Sequence, residues 1–92
     1  MIMSYGDPEV RAFFGGERIR RWIHIERTLT RKLMAIDEAR TLNDLRRPPA
    51  NRLKPLYGDM NGQHSIRVND QFRVCFVWRS GHAYDVTVVD YH

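Results

Sequence analysis

The chain has 92 residues, with 15 Lys and Arg against 11 Asp and Glu, a formal net charge of +4 and a pI near 9.7. This length predicts one domain, residues 1–92, with a small core, and the basic balance favours a polyanionic partner such as RNA. The single cysteine, Cys75, excludes an internal disulfide framework and a cysteine-based zinc site. We find no signal-peptide pattern and no apolar run long enough for a bilayer, which predicts a cytoplasmic protein without membrane contact.

The first fourteen residues predict a short edge strand followed by a short helix. Residues 2–5 are the candidate strand, because Ile2 and Tyr5 flank a stretch too brief for more. Asp7 is placed to cap the helix, and Pro8 suits the first helical position, where its missing N–H costs nothing. The helix is expected to end with Phe13 and Phe14, before two glycines.

The segment 18–39 has apolar residues at helical spacing and predicts one long packing helix. Its apolar stripe contains Ile19, Trp22, Ile23, Leu29, Leu33 and Ile36. Its basic stripe runs at spacings of four, three and four through Arg20, His24, Arg27 and Arg31, which should project the same way. Two interpretations stay open for these cations: a solvated face, or contacts to RNA phosphates.

The segment 41–62 predicts a short helix, a basic loop and an edge strand. Thr41 and Asp44 have the spacing of a capping box, and the helix that they open must stop at Pro48-Pro49. Residues 46–52 then form an exposed basic loop. Leu53 and Leu56 should face the core, with Pro55 typical of an edge strand or a bulge. Met60-Asn61-Gly62 is the predicted turn into the next strand.

The last thirty residues predict three antiparallel strands, because strongly β-forming apolar residues occupy alternate positions. These positions are Ile66 and Val68; Phe72, Val74, Phe76 and Trp78; Tyr84, Val86 and Val88. A three-residue loop, Asn69-Asp70-Gln71, sets Val68 beside Phe72 and Ile66 beside Val74, whereas a two-residue turn would mix the faces. This register places Arg67 directly across from Arg73.

A second loop, Ser80-Gly81-His82, should pair Phe76 with Val86 and Val74 with Val88. Arg73 then lies beside Val89 and one step diagonal to Tyr91, so Arg67, Arg73 and Tyr91 should share the face away from the core. Strict alternation would leave Asp90 and His92 on the core side. The tail must therefore twist, or end as a strand, before His92.

Two arginines opposed on a sheet repel at a cost of a few tenths to about 1 kcal/mol, which an anion would offset. Arginine matches phosphate with a planar fork, a tyrosine supplies a hydroxyl, and His92 titrates near neutrality. The alternative is that Arg67 and Arg73 are solvated or paired with Asp70, Asp85 or Asp90.

Other chemistries find little support in the residues. The four histidines have no metal-ligand spacing and no paired carboxylates accompany them, so we expect no metal and no cofactor. Ser65 and Cys75 lack an evident base and orienting group for nucleophilic catalysis.

The second half of the chain contains a specific combination of residues: Arg52-Leu53, Leu56, Gly58-Asp59, Gly62-Gln63, Ser65-Ile66-Arg67-Val68-Asn69, Gln71, Arg73, Phe76, Trp78 and the closing Val89-Asp90-Tyr91-His92. With these residues the chain resembles the HigB-like toxins of the RelE superfamily, small bacterial toxins that cut messenger RNA on the ribosome. The lengths and the helical pattern upstream of residue 52 are compatible with the resemblance. One departure is His64, where many relatives carry Trp.

The resemblance implies an α+β, RelE-like fold, with N-terminal helices packed on a twisted, mainly antiparallel sheet. It also implies metal-independent RNA cleavage on the ribosome, with Arg73 and Arg67 stabilising charge, Tyr91 orienting the nucleotide and His92 moving a proton. The expected RNA contacts are Lys54, Arg52, Asp90, Arg20, Arg27 and Arg31.

The expected partners are the ribosome with its mRNA and a HigA-like helix-turn-helix antitoxin, through which alone operator DNA is contacted. Two other functions stay open from the sequence. One is a basic RNA- or ribosome-binding inhibitor without catalysis, and the other is a component whose role is assembly with its antitoxin on DNA.

Overall fold

A four-stranded antiparallel sheet organises the computed structural model, which describes residues 1–58 and 62–91. Its strands, in spatial order, are β1 (Lys54–Pro55), β2 (Gln63–Arg67), β3 (Phe72–Arg79) and β4 (His82–Asp90). The two α-helices are α1 (Pro8–Phe14) and α2 (Glu26–Glu38), and three 3₁₀ helices span Arg20–Ile25, Leu42–Arg46 and Pro49–Asn51. The predicted α+β class is confirmed, as is the short edge strand at Pro55. Most of the turn predicted at Met60-Asn61-Gly62 lies outside the described residues.

The β2–β3 hairpin has the register predicted from its alternation. Ile66 pairs with Val74 and Arg67 with Arg73. The three-residue loop is closed by Asn69, whose Oδ1 accepts hydrogen bonds from the backbone N–H of Gln71 (2.9 Å) and of Phe72 (2.7 Å). This local side-chain bond fixes the loop length, and with it the face of every residue in the hairpin.

The β3–β4 hairpin differs from the prediction at its turn. Arg79 pairs with His82, so the turn has two residues, Ser80 and Gly81, both with positive φ. The predicted three-residue loop is therefore wrong. Between the pairs Val77–Tyr84 and Cys75–Thr87, however, β3 contributes one residue and β4 two, which is a bulge.

The bulge restores the predicted register beyond it. Val74 pairs with Val88 and Arg73 with Val89, whereas Phe76 lies opposite the two bulge residues instead of pairing regularly with Val86. The extra bulge residue compensates for the shorter turn, which is why the pairing of Arg73 was predicted correctly from an incorrect loop.

The short edge strand predicted for residues 2–5 is present only as two isolated bridges to β4. Parallel bridges join Ile2 to Ala83 and Tyr5 to Val86. Ser4 Oγ accepts from the backbone N–H of the bulge residue Asp85 at 2.9 Å. Gly6 approaches β4 so closely that a Cβ on it would lie 2.7 Å from Thr87 Cγ2. The N-terminal segment thus covers a strand edge that would otherwise be open for pairing.

Both predicted helix caps are present. Asp7 accepts from the N–H of Glu9 at 2.9 Å, with Pro8 at the first helical position. Thr41 and Asp44 form the reciprocal capping box, although the helix that they open is 3₁₀ rather than α. The chain then passes through the predicted basic loop, in which Asn51 is the buried exception.

The single long helix predicted for residues 18–39 is wrong, because residues 20–25 are 3₁₀ and the α-helix begins at Glu26. A 3₁₀ helix has three residues per turn, so residues three apart share a face. Trp22 and Ile25 are therefore buried, whereas Ile23, which the α-helical period placed inside, is 46% exposed. The spacing of three between Ile19, Trp22 and Ile25 was the signal in the sequence.

The core lies between the helices and one face of the sheet. Leu29, Leu33 and Ile36 of α2 are completely buried, as are the facing sheet residues Val74 and Phe76. Phe13 closes the cluster by meeting the Trp22 ring edge to face, with centroids 5.7 Å apart. None of the described helices combines the length and apolar character needed to cross a membrane. The opposite face of the sheet is left to carry polar groups.

Candidate active site

A cleft of about 530 Å³ opens on the side of the sheet away from the helices, and we call it the arginine cleft. It brings together the loop before β1, the end of β2, the loop after it, β3 and the chain after β4. It is lined by Arg52, Leu53, Lys54, Arg67, Asn69, Asp70, Arg73 and Tyr91. Five of the ten residues that the sequence singled out therefore converge on one surface.

Arg73 forms the floor of the arginine cleft and is only 8% exposed. Its Nε donates to Ser65 Oγ (2.9 Å), and its Nη2 donates to the carbonyl oxygens of Arg52 (2.7 Å) and Ser65 (3.3 Å). Within residues 1–58 and 62–91 these bonds engage Nε and Nη2, which leaves Nη1 as the donor for a ligand. Burial lowers the pKa of Arg73, yet a guanidinium stays charged at any physiological pH. The result is a cation held in one orientation.

Arg67 forms the rim of the same cleft, across the sheet from Arg73. Its Nη2 forms an ion pair with Asp70, whose side chain is 96% exposed. The pairing with Asp70 left open by the sequence is thus present for Arg67, whereas Arg73 bonds to neutral oxygens. An ion pair this exposed is weak, so Arg67 can exchange the carboxylate for another anion at little cost.

Tyr91 overhangs the cleft beside both cations. Its ring centroid is 5.8 Å from Arg73 Cζ and 5.7 Å from Lys54 Nζ. Its backbone N–H donates to the Gln71 carbonyl at 2.7 Å, which extends the last strand by one residue. The ring is 45% exposed, so a face is available for stacking while the backbone is held.

Asp90, at the end of β4, is exposed and accepts a hydrogen bond from Gln71 Nε2 at 3.0 Å. His92 lies outside the described residues, so its role in moving a proton stays a prediction. Among the described residues that line the cleft there is no histidine.

The sequence and the fold match known proteins. The family model for the RelE-like toxin HigB of type II toxin-antitoxin systems matches residues 3–92. Toxin HigB-1 of Vibrio cholerae serotype O1 is 39% identical over 94 residues, covering 100% of this chain and 98% of the relative. The chain belongs to the HigB-like toxins. Endoribonuclease HigB of Proteus vulgaris is 39% identical over 61 residues, which cover 66% of this chain and 65% of the relative.

Solved structures agree on the fold of this HigB-like toxin. The structure titled "YoeB-YefM complex from Staphylococcus aureus" matches with a TM-score of 0.59 and 16% identity, covering 100% of this chain and 98% of the other. The YoeB dimer from the same organism matches with a TM-score of 0.55 and 14% identity, covering 99% and 97%. At such identities the likeness concerns the fold, and it confirms the predicted RelE-like architecture.

The predicted basic stripe is only partly formed in this HigB-like toxin. His24, Arg27 and Arg31 line a second cleft, near the start of α2, but Arg20 does not, because the 3₁₀ helix turns it out of line. In the same segment Arg18 pairs with Glu26, and Arg21 pairs with Asp7 and Glu9. By contrast, no carboxylate among the described residues pairs with Arg20, Arg27 or Arg31.

Ser65 is the residue that sequence reasoning missed. It was considered only as a nucleophile, but it is completely buried and its hydroxyl accepts from Arg73. The alternation of β2 already put Ser65 on the face of Arg67. The alternation did not reveal that the Arg52 carbonyl oxygen would accept a hydrogen bond from the same guanidinium. Arg52 is in the left-handed conformation, with φ 46°.

Two further side chains near the sheet have structural rather than site positions. Cys75 is buried, and burial raises the pKa of its thiol. His64 lies on the core face, where its ring stacks on Phe76 with centroids 6.4 Å apart. Burial, followed by the charge of Arg46, lowers the pKa of His64, which favours the neutral form of its ring. Over residues 1–58 and 62–91, no three His, Cys, Asp or Glu side chains are grouped as a metal site.

Proposed function

We propose that this HigB-like toxin is an endoribonuclease that cleaves mRNA on the ribosome without a metal ion, inhibits translation and is neutralised by a HigA-like antitoxin. The observation that carries the proposal is the convergence of Arg73, Arg67, Lys54 and Tyr91 on one cleft. The endoribonuclease name of the Proteus vulgaris relative supports the reaction. The toxin-antitoxin description of the family supports the partner.

The proposed reaction is cleavage by the substrate's own 2′-hydroxyl. The 2′-oxygen loses its proton and attacks the adjacent phosphorus, the bond to the 5′-oxygen breaks, and that oxygen takes up a proton to leave as a hydroxyl. The products are a 2′,3′-cyclic phosphate and a free 5′-hydroxyl. Negative charge grows on the non-bridging oxygens, so the reaction needs a fixed cation more than it needs a nucleophile from the protein.

Arg73 is assigned the main catalytic role, because its hydrogen bonds to Ser65 and Arg52 orient it before substrate arrives. Stabilisation by preorganised donors avoids reorganisation during the reaction. Arg67 would hold a second phosphate oxygen after leaving Asp70, with Lys54 and Arg52 adding positive charge. Tyr91 would stack on a base or orient the ribose. Asp90, two residues before His92 in the sequence, would orient that histidine.

Proton transfer is the incomplete part of the site, which supports dependence on the ribosome. His92 is the candidate proton carrier, and general acid-base catalysis of this kind contributes roughly 10² to 10⁴-fold. The cleft offers Asp70 as its only described carboxylate, and that group is already bound to Arg67. A message held and distorted in the ribosomal A site would need less help from a base, since positioning itself lowers the barrier.

The partners follow from the same proposal. The antitoxin would be a HigA-like protein with a helix-turn-helix domain, and operator DNA would be contacted through that domain rather than by the toxin. The exposed cations Arg20, Arg27 and Arg31, which lack carboxylate partners among the described residues, would meet ribosomal RNA. Such a protein acts in the cytoplasm, where translation takes place.

Primer extension on a defined message in a purified translation system tests the proposal. We expect the wild type to cut only when ribosomes are present. Cutting should be lost in Arg73→Ala and in a form shortened by His92. Arg40→Ala is the matched control, because Arg40 is exposed and lies outside the arginine cleft. Cutting of naked message at an equal rate would overturn ribosome dependence.

A second candidate function is inhibition by binding alone. The Arg67–Asp70 ion pair favours it, because it occupies one of the two opposed arginines in the free protein. Under this function translation stops while the message stays intact, and Tyr91→Ala retains toxicity. Co-expression with a helix-turn-helix antitoxin protects cells under both functions, so the state of the message decides between them.

A further inference from the structure

A third cleft, of about 250 Å³, lies between α2, the 3₁₀ helix Pro49–Asn51 and the end of β2, and we call it the lysine cleft. It shares Arg67 with the arginine cleft, so the two clefts adjoin at the end of β2. Its lining consists of Thr28, Arg31, Lys32, Ala35, Pro48, Ala50, Asn51, Arg67 and Val68. Three of these residues are cationic and none is acidic.

Lys32 is the central cation of the lysine cleft. It is half-buried, and its Nζ donates to Asn51 Oδ1. No carboxylate among residues 1–58 and 62–91 forms an ion pair with it. Burial lowers the pKa of Lys32, and the charges of Arg31 and Arg67 lower it further. A half-buried ammonium with only a neutral partner and two cationic neighbours is stabilised by an anion.

Asn51 makes this arrangement rigid. It is completely buried, and its Nδ2 donates to the carbonyl oxygens of Leu45 and Arg47, each at 3.1 Å. With both amide hydrogens committed, Oδ1 is fixed toward Lys32. The next residue, Arg52, provides the carbonyl that holds Arg73, so one short segment shapes both clefts.

We propose that the lysine cleft binds an RNA backbone phosphate adjacent to the arginine cleft, with Lys32 and Arg31 as its ligands and Arg67 shared between the two clefts. The inference rests on the proposed function in that RNA is the ligand of the arginine cleft. The phosphate belongs either to the message or to ribosomal RNA, and the chemistry of recognition is the same for both.

The test measures the salt dependence of RNA binding. The probes are a short fluorescein-labelled 2′-O-methyl RNA, which cannot be cleaved, and purified ribosomes. Lys32→Gln removes the charge but keeps a donor for Asn51 Oδ1. We expect Lys32→Gln to reduce the magnitude of the slope of log K against log salt concentration by roughly 0.7, because one phosphate contact is lost. Arg31→Gln should change the slope in the same direction. Arg40→Gln, which lies outside all three clefts, should keep the wild-type slope.

The two sources of phosphate give different results. A smaller slope with the short RNA assigns the lysine cleft to the message, whereas a smaller slope with ribosomes alone assigns it to ribosomal RNA. Unchanged slopes for both variants on both probes would overturn the inference. If Lys32→Gln does not fold, Lys32→Met decides, because it keeps an aliphatic side chain without the charge. Arg31→Gln alone is not decisive, because Arg31 also lines the second cleft.

An independent readout is the titration of Lys32 in the wild-type protein. The ¹³Cε chemical shift of this lysine, followed with pH, should report a higher pKa when the 2′-O-methyl RNA or the ribosome is bound. An unchanged pKa with both would contradict the inference. Failure of the proposed function gives a different result. In that case the wild type leaves the message intact in primer extension, while the slope changes in the variants and the pKa change of Lys32 are still observed. The protein is then an RNA binder with the same phosphate site.

Discussion

The floor and the rim of the arginine cleft each carry an arginine, and the two arginines have opposite surroundings. Arg73 and Arg67 face each other across β2 and β3, where like charges repel. Arg73 turns inward to Ser65 and the Arg52 carbonyl, whereas Arg67 turns outward to Asp70. Repulsion is thus reduced by divergence, and one arginine becomes rigid while the other stays exchangeable. A rigid cation suits transition-state charge, and an exchangeable cation suits the capture of substrate.

Arg73→Ala should have the largest effect. Removal of one preorganised donor typically costs about 10²- to 10³-fold in turnover, because no other group can reproduce its position. The rate of message cleavage at saturating ribosome concentration measures it. Arg73→Lys should not restore the rate, since an ammonium lacks the planar fork that fits Ser65 and the Arg52 carbonyl. A loss below about tenfold would show that the floor is not preorganised for the reaction.

Arg67→Ala should reduce the efficiency of message cleavage by about tenfold. This loss is smaller than that of a buried charged hydrogen bond, because the rim is exposed. The ribosome concentration needed for half-maximal cleavage should rise, rather than the maximal rate falling. Added salt should reduce the difference between this variant and wild type. Equal losses in maximal rate for Arg67→Ala and Arg73→Ala would remove the distinction between rim and floor.

Ser65→Ala should lower the maximal cleavage rate by about fivefold, the equivalent of about 1 kcal/mol for one typical hydrogen bond. Its physical cause is a less firmly held Arg73, so the ribosome affinity should not change. In the double variant with Arg73→Ala, the serine substitution should cost nothing more, because residues that act through one another are not additive. Additive losses would mean that Ser65 acts independently of Arg73.

Asp70→Asn should raise activity by about twofold at low salt, because it frees Arg67 from an exposed ion pair of small strength. The gain should disappear at high salt, where such pairs are screened. A decrease in activity would assign Asp70 a positive role in the reaction. Asp70→Ala serves as a second variant that also removes the amide.

Thiol labelling compares the solvent accessibility of the sheet beneath the arginine cleft, reported by Cys75, with that of the rim, reported by a cysteine at position 70. Burial raises the pKa of the Cys75 thiol, so the reactive thiolate is scarcer at neutral pH than in an exposed cysteine. Iodoacetamide should therefore modify folded wild type slowly, even at mildly alkaline pH, and modify urea-unfolded protein quickly. In an Asp70→Cys variant, the rim cysteine should react first. Rapid labelling of Cys75 in folded protein would show that the sheet floor opens to water.

The β2–β3 hairpin and the segment 18–39 show where prediction from the sequence succeeded and where it failed. The β2–β3 hairpin was predicted residue by residue, because a period of two and the Asn69 loop leave one register that buries the apolar side chains. The segment 18–39 was predicted incorrectly at its start, because apolar residues at spacings of three and four fit an α-helix as well as a 3₁₀ helix. Packing of Trp22 and Ile25 into the core, rather than local preference, selected the tighter turn.

The sequence by itself determined the strand faces, and thereby that Arg67, Arg73 and Tyr91 meet on one side of the sheet. Alternation is a local property, and a single slip would expose a whole apolar face. Only the tertiary structure decided how the two arginines are used. The groups that hold Arg73 include a carbonyl 21 residues away, and Asn51, which anchors that segment, meets Lys32 from α2. Such contacts arise from the packing of distant segments, which no local spacing records.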